Sequence, residues 1–139
     1  MIFVDNMVIG FTCGAWDLLH AGHIRLLKES KEKCDYLIVG IHENPHIERD
    51  WKNCPVESVE ERIEKIDAIK YVDEYMVYKT EDDLYRYLSN SNINIRFLGD
   101  DYINKSFTGD DLDIEVCFHK RDKNLSSSHI RNRIKSLNP

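Results

Sequence analysis

Residues 14–23 read GAWDLLHAGH, and the segments on either side of this stretch decide the fold. An apolar run, Met7–Phe11, precedes it and an amphipathic helical pattern follows it, which predicts a turn from a strand into a helix. The N-terminus of a helix offers unpaired backbone N–H groups and the positive end of its dipole. His20 and His23 add imidazole donors there, and the glycines let the backbone approach a ligand closely. The stretch therefore predicts a site for phosphate groups.

Short apolar runs alternate with helical patterns along the rest of the chain, which predicts an α/β domain with a parallel sheet and helices on both faces. The predicted strands are residues 7–13, 35–41, 74–78, 95–99 and 113–118. The predicted helices are residues 22–33, 58–70, 81–90 and 127–137. Ser58 and Glu61 form an S-x-x-E capping box at the start of the second helix. We predict a doubly wound, Rossmann-like, five-stranded sheet that binds its ligands beyond the carboxyl ends of the strands.

Residues 42–57 contain two prolines and little apolar periodicity, and they predict a long loop. Loops of this length in a small enzyme are often functional, and we expect this one to close over a substrate. The whole chain, residues 1–139, is short enough to predict a single domain.

Composition excludes several classes of function. The net charge of −6 disfavours general binding to nucleic acid, which normally requires a broad basic face. No apolar run is long enough to span a membrane, and the first residues do not resemble a secretory signal, so we expect a soluble, cytoplasmic protein. The four cysteines are scattered without metal-ligand spacing, which predicts reduced and mostly buried thiols, no disulfide framework and no metal held by protein ligands alone.

The pattern G-x-x-D-x-x-H-x-G-H in residues 14–23 resembles the signature of the nucleotidyltransferase superfamily, and in particular its cytidylyltransferase branch. Residues 121–128, RDKNLSSS, are similar to the C-terminal motif of glycerol-3-phosphate cytidylyltransferases, R-T-E-G-I-S-T-T. Residues 58–74 and 98–101 also resemble family segments in order and spacing. The resemblance covers nearly the whole chain.

The resemblance implies transfer of a cytidylyl group from CTP to a phosphorylated small alcohol, with glycerol 3-phosphate as the first acceptor to test. It also implies Mg²⁺ with the triphosphate and a homodimer. The acceptor phosphate has a second pKa of about 6 and is therefore nucleophilic without a general base. The protein must align the two substrates and place donors where negative charge develops.

The resemblance assigns catalytic roles to four residues: His20, His23, Arg121 and Lys52. The resemblance also places His20, His23 and Arg121 at the nucleotide. Further residues that it places there are Cys13, Gly14, Ala15, Trp16, Lys70, Gly99, Asp100, Asp101, Ser126, Ser127 and Ser128. It places Lys52 at the acceptor together with two more residues, Asp17 and Arg62.

Some of these residues also have ordinary structural interpretations. Asp17 could orient the loop or cap the helix, and the serine run could be plain N-capping. Asp100 and Asp101 could recognise the base or ribose, help to hold Mg²⁺, or be a charged strand end. Arg131 and Arg133 are predicted to form a solvated face.

The chain departs from the family pattern in the C-terminal motif, where Lys123 replaces an acidic residue and Asn124 replaces a glycine. Trp16 replaces the usual phenylalanine, and Lys70 stands where an arginine is usual. Two other functions therefore stay open. One is the same chemistry with ATP, and the other is a nucleotide-binding domain without turnover.

Overall fold

A computed structural model describes residues 6–121 and 125–137. The strands are β1 (Ile9–Gly14), β2 (Tyr36–His42), β3 (Glu74–Tyr78), β4 (Ile95–Gly99) and β5 (Glu115–His119). The helices are α1 (Ala21–Glu32), α2 (Pro45–Glu48), α3 (Val59–Asp67), α4 (Glu81–Ser89) and α5 (Ser127–Leu137). No helix in these described ranges is long and apolar enough to span a membrane.

The five strands form one parallel sheet in the order β3-β2-β1-β4-β5. The chain moves outward from β1 to β3 and then returns to the other side of β1, so the order reverses between β1 and β4. These two strands pair only at Gly10 with Ile95 and at Phe11 with Arg96, whereas β1 pairs with β2 along its whole length. The carboxyl ends of β1 and β4 therefore open a crevice at the switch point, where a doubly wound sheet binds its ligands.

Two hydrophobic clusters cover the two faces of the sheet, as the sequence predicts. Leu27 of α1 and Ile66 of α3 pack in the first cluster. Leu84 and Leu88 of α4 pack in the second. The strands contribute alternate residues to the two clusters, because successive side chains of a strand point to opposite faces. The predicted α/β fold with helices on both faces is confirmed.

The predicted capping box at the start of α3 is also confirmed. Ser58 Oγ accepts the Glu61 N–H at 3.1 Å, and the Glu61 carboxylate accepts the Ser58 N–H at 3.0 Å. The helix ends at Asp67, three residues before the predicted end. Ile69 and Val72 pack against the first cluster. Tertiary packing therefore redirects the chain where the local pattern predicted another helical turn.

The predicted loop at residues 42–57 contains one short helix, α2. The helix begins at Pro45. Proline is favourable there because an N–H group at the first helical position would form no hydrogen bond within the helix. The cysteines are free, but fewer are buried than predicted: Cys54 is exposed and the other three are half-buried.

Candidate functional site

A cavity of about 680 Å³ lies at the carboxyl ends of the strands, around the switch point. Most of the residues that the sequence analysis singled out line it: Cys13, Gly14, Ala15, Trp16, Asp17, His20, His23, Lys52, Gly99, Asp101, Arg121 and Ser127. Five of the predicted residues do not line it: Arg62, Lys70, Asp100, Ser126 and Ser128. Residues distant in sequence thus converge where the chain opens a crevice.

The two histidines form the N-terminal cap of α1. His20 Nδ1 accepts the Gly22 N–H at 3.0 Å, and His23 Nδ1 accepts the His20 N–H at 3.1 Å. Each Nδ1 acts as an acceptor, so a neutral ring carries its proton on Nε2. The rings stack with their centroids 3.9 Å apart. Both side chains line the cavity, and no described residue accepts from their Nε2–H groups, which leaves these donors for a ligand.

The electrostatic environment keeps both rings neutral. Burial, aided by the charges of His20 and Arg121, lowers the pKa of His23 to about 3. Burial and the charge of Arg121 also lower the pKa of His20. A neutral imidazole donates a hydrogen bond at neutral pH without placing a further cation in the cavity. A bound polyphosphate would raise both pKa values, because an opposite charge favours the protonated ring.

The turn before α1 contains two strained residues. Trp16 and Leu18 have φ angles of 57° and 52°, in the left-handed region that non-glycine residues rarely occupy. Trp16 Nε1 donates to the carbonyl oxygen of Gly40 at 2.9 Å, and the Leu18 N–H donates to Glu57 Oε1 at 2.6 Å. The Trp16 ring also packs on His23, with centroids 5.4 Å apart. These contacts hold a strained turn in place, which is typical of functional sites.

Asp17 joins three segments of the chain. Its carboxylate accepts the backbone N–H groups of Val56 and Glu57, both at 2.9 Å, and pairs with Arg131 Nη2 at 2.7 Å. Its backbone carbonyl accepts the Ser127 hydroxyl at 2.9 Å. The structural interpretation of Asp17 therefore agrees with its contacts, since the carboxylate ties the turn to the long loop and to α5.

The prediction that Arg131 lies on a solvated face is wrong. Its side chain is half-buried and paired with Asp17. Ser127 and Arg131 are four residues apart on α5, so they share a helix face, and that face meets the turn.

The three serines of the run lie in different environments. Ser126 Oγ accepts the His129 N–H at 3.0 Å, which is an N-capping contact. Ser127 faces the cavity, whereas Ser128 is exposed. Phosphate binding by this run stays a prediction, and Lys123 and Asn124 of the same motif lie outside the described residues.

Arg121 and Asp101 form an ion pair at the rim, with Nη1 and Oδ2 3.1 Å apart. Arg121 follows β5, and Asp101 lies in the short turn Asp100–Tyr102 after β4. Both side chains are about half exposed, so the pair contributes little to stability and can open for a ligand.

Arg62 does not contact the cavity. Its guanidinium is buried and donates to the carbonyl oxygens of Ala15 at 3.0 Å, His42 at 2.8 Å and Glu43 at 2.6 Å. The predicted direct contact with the acceptor is therefore not supported, and Arg62 holds the chain segments that form the site. The sequence shows an arginine on an amphipathic helix but not the carbonyl groups that surround it.

Lys70 is the second predicted residue that lies away from the cavity. Its Nζ lies 5.3 Å from the centroid of the Tyr71 ring. The nucleotide contact implied by the resemblance has no counterpart in this arrangement.

Sequence reasoning missed several residues that line the cavity, notably Tyr78, Arg96, Phe107 and Thr108. One signal was present, because Arg96 is a charged residue in the middle of the apolar strand IRFLG. The other three sit in segments without a motif.

A doubly wound sheet with imidazole groups at a helix N-terminus defines a class of α/β protein whose switch point suits phosphorylated ligands. Residues 11–133 match the family model described as cytidylyltransferase-like. The chain belongs to this family, which lies in the nucleotidyltransferase superfamily, and the inferred resemblance to the cytidylyltransferase branch is confirmed.

Several relatives match part of the chain. The chain is 42% identical over 67 residues to the probable ethanolamine-phosphate cytidylyltransferase of Encephalitozoon cuniculi. It is 39% identical over 71 residues to the ethanolamine-phosphate cytidylyltransferase of Mus musculus. It is 31% identical over 80 residues to the bifunctional protein HldE of Hyphomonas neptunium. These matches cover 48%, 50% and 57% of this chain, but only 21%, 17% and 16% of those proteins. The chain thus matches about a fifth or less of the length of these relatives.

Two solved structures share the fold. The lipopolysaccharide core biosynthesis protein from Thermoplasma volcanium has a TM-score of 0.70 and 24% identity, covering 85% of this chain and 100% of that one. The macrolide-efflux protein from Streptococcus pneumoniae has a TM-score of 0.64 and 22% identity, covering 95% of this chain and 53% of that one. At this identity the likeness supports the fold alone.

Proposed function

We propose that this protein transfers the cytidylyl group of CTP to the phosphate of a small phosphorylated alcohol, giving a CDP-alcohol and pyrophosphate. The observation that carries the proposal is the pair His20 and His23, whose Nδ1 atoms are fixed by backbone N–H groups while their Nε2–H groups are left for a ligand. The family membership supports the same reaction class.

The reaction needs alignment and charge stabilisation more than proton transfer. An acceptor phosphate oxygen attacks the α-phosphorus of CTP, the bond to the β-phosphate breaks, and pyrophosphate leaves. The two imidazoles would donate to triphosphate oxygens as charge builds on them, and Arg121 would exchange Asp101 for a phosphate. The backbone N–H groups at the start of α5 would receive the remaining phosphates.

Mg²⁺ would accompany the triphosphate. Asp101 supplies a carboxylate at the cavity, which is an oxygen ligand that suits this ion. The ion would neutralise charge on the phosphates, and Asp101, once released from Arg121, would be its protein ligand.

The first acceptor to test is glycerol 3-phosphate, because residues 121–128 resemble the motif of enzymes that use it. Lys52 is exposed on the long loop and lines the cavity, so it is the residue we propose to reach the acceptor phosphate. Arg49, on the same loop, is already paired with Glu81 at 2.6 Å. We also propose a cytoplasmic homodimer, as the resemblance implies, and light scattering after size-exclusion chromatography would measure the mass.

The test is pyrophosphate release with Mg²⁺, comparing CTP, ATP, GTP and UTP against glycerol 3-phosphate, phosphoethanolamine, phosphocholine and sugar phosphates. We expect release that is selective for CTP. Selectivity for ATP would replace the nucleotide assignment. Binding of CTP without release for any acceptor would favour a nucleotide-binding domain that has no turnover.

A further inference from the structure

Arg96 is a buried cation in the second wall of the cavity. It lies within β4, and only 4% of its surface is exposed. Its neighbours Ile95 and Phe97 pack in the first hydrophobic cluster, so the Arg96 side chain points to the opposite face of the sheet. His23 belongs to α1 and His20 caps it, and this helix packs on the first face through Leu27. The cavity therefore has one wall on each face.

The hydrogen-bonding groups of Arg96 are only partly satisfied. Nη1 donates to the carbonyl oxygen of Thr108, and Nη2 lies 3.6 Å from Cys13 Sγ. The guanidinium carbon is 5.0 Å from the centroid of the Phe107 ring. Nε is buried and has no hydrogen-bond partner among the described residues. Within the described ranges, no carboxylate comes within the 4.0 Å of an ion pair.

A buried cation without a counter-ion is unfavourable, because it loses its hydration and gains no opposite charge. Glu81 also lines this part of the cavity, but its carboxylate is taken up by Arg49 and by the Thr108 hydroxyl, which donates at 3.1 Å. Burial raises the pKa of Tyr78, so its phenol supplies no negative charge. This wall thus carries a positive charge that the described protein groups leave uncompensated.

We propose that Arg96 binds an oxyanion of the acceptor substrate and thereby selects against acceptors with a cationic head group. The identity of this ligand as an acceptor rests on the proposed function. Arg96, Cys13, Phe107 and Thr108 line the same cavity as the histidines. A planar guanidinium recognises carboxylate and phosphate groups well, and a ligand oxygen would supply the partner that Nε lacks. An ammonium group, as in ethanolamine phosphate, would be repelled.

The experiment is calorimetric titration of 3-phosphoglycerate, glycerol 3-phosphate and phosphoethanolamine, with and without a non-transferable CTP analogue. The first two ligands differ only by a carboxylate in place of a hydroxymethyl group, and the third carries an ammonium group. We expect the wild-type protein to bind phosphoethanolamine most weakly. Arg96→Gln should weaken binding of 3-phosphoglycerate by roughly tenfold or more, and Arg96→Lys should weaken it less.

Arg86→Gln is the matched control, because it removes the same charge from an exposed position on α4. It should leave all three affinities unchanged. If Arg96→Gln affects 3-phosphoglycerate more than glycerol 3-phosphate, Arg96 binds the second anionic group; an equal loss places it at the shared phosphate. Circular dichroism and the affinity for the CTP analogue report whether the variants keep their fold.

Tightest binding of phosphoethanolamine to the wild-type protein would overturn the proposal, as would unchanged affinities in a folded Arg96→Gln or Arg96→Lys variant. The transfer reaction is tested separately by pyrophosphate release. If no acceptor supports release but oxyanion binding still depends on Arg96, the proposed reaction fails and the binding site stands.

Discussion

Two arginines are buried almost equally, Arg62 at 2% and Arg96 at 4% exposure, yet their surroundings differ. Arg62 donates to a ring of backbone carbonyls. Burial lowers the pKa of its guanidinium, and the nearby charges of Asp17, Glu57 and Glu43 oppose this lowering. In the part of the chain that the structure describes, Arg96 has one carbonyl partner, one thiol contact and an unpaired Nε. Burial alone therefore does not distinguish a residue that maintains the fold from one that is prepared for a ligand. The distinction comes from whether the protein satisfies every donor.

The largest effect should come from removing Arg62. Arg62→Met would leave the carbonyl groups of Ala15, His42 and Glu43 buried without a donor, and we expect a loss of about 3–5 kcal/mol in the free energy of unfolding. Urea denaturation measures this loss, with Arg62→Lys as a control that keeps the charge. A loss under about 1 kcal/mol would mean that water replaces the guanidinium, and Arg62 would no longer differ from Arg96.

His20 both maintains the local structure, as Arg62 does, and offers a donor to a ligand, as we propose for Arg96. Its Nδ1 is satisfied by the protein, and its Nε2–H is left for a ligand. His20→Asn keeps a side-chain oxygen that caps α1 but removes the distal donor. If cytidylyl transfer is the reaction, we expect pyrophosphate release to fall by about 10²–10³-fold. The structure of α1 should persist, as measured by circular dichroism.

His46→Asn is the matched control for this change, because His46 lies on α2 and does not line the cavity. It should release pyrophosphate at the wild-type rate. Activity of His20→Asn within threefold of wild type would contradict the donor role of Nε2.

His23 extends the comparison to pH. Burial lowers its pKa from 6.5 to about 3, so the folded protein keeps the ring neutral in a range where the unfolded chain protonates it. The contribution of this ring to stability is complete above pH 6.5 and decreases as the pH falls from 6.5 towards 3. The slope should reach at most about 1.4 kcal/mol per pH unit.

Urea denaturation at pH 7, 6 and 5 of the wild-type protein and His23→Gln measures this contribution. The variant should show the shallower dependence on pH. Equal slopes in the two proteins would mean that the ring titrates alike in the folded and unfolded states.

The fold and the phosphate turn could be predicted because they depend on local patterns. Strand and helix periodicity, the Ser58–Glu61 capping box and the stretch GAWDLLHAGH all act within a few residues of the chain. The bounds of the predicted elements differ from the structure by at most three residues, and the largest difference is at the end of α3, where packing of Ile69 overrides the local pattern.

The tertiary partners could not be predicted, because they lie far apart in the sequence. Asp17 meets Arg131 across 114 positions, and Arg96 meets Cys13 across 83. A pattern of residue types indicates that an arginine is present, but not whether carbonyls or a carboxylate will surround it. For this reason the contacts of Arg62 and Arg131 in the structure differ from the ones that the sequence predicted.

The smallest effect on stability should come from Arg96→Met. Replacing a partly satisfied buried cation with an apolar side chain of similar length removes an unfavourable charge, but it also leaves the Thr108 carbonyl without its donor. These effects oppose each other, so we expect the free energy of unfolding to change by no more than about 1 kcal/mol in the absence of ligand. Urea denaturation of this variant beside Arg62→Met measures the contrast directly.

Addition of 3-phosphoglycerate should then stabilise the wild-type protein more than Arg96→Met, because a ligand that binds only the folded state raises its stability. If Arg96→Met instead lowers the free energy of unfolding as much as Arg62→Met does without ligand, Arg96 maintains the segment around Thr108. Its unpaired Nε would then not indicate a binding site.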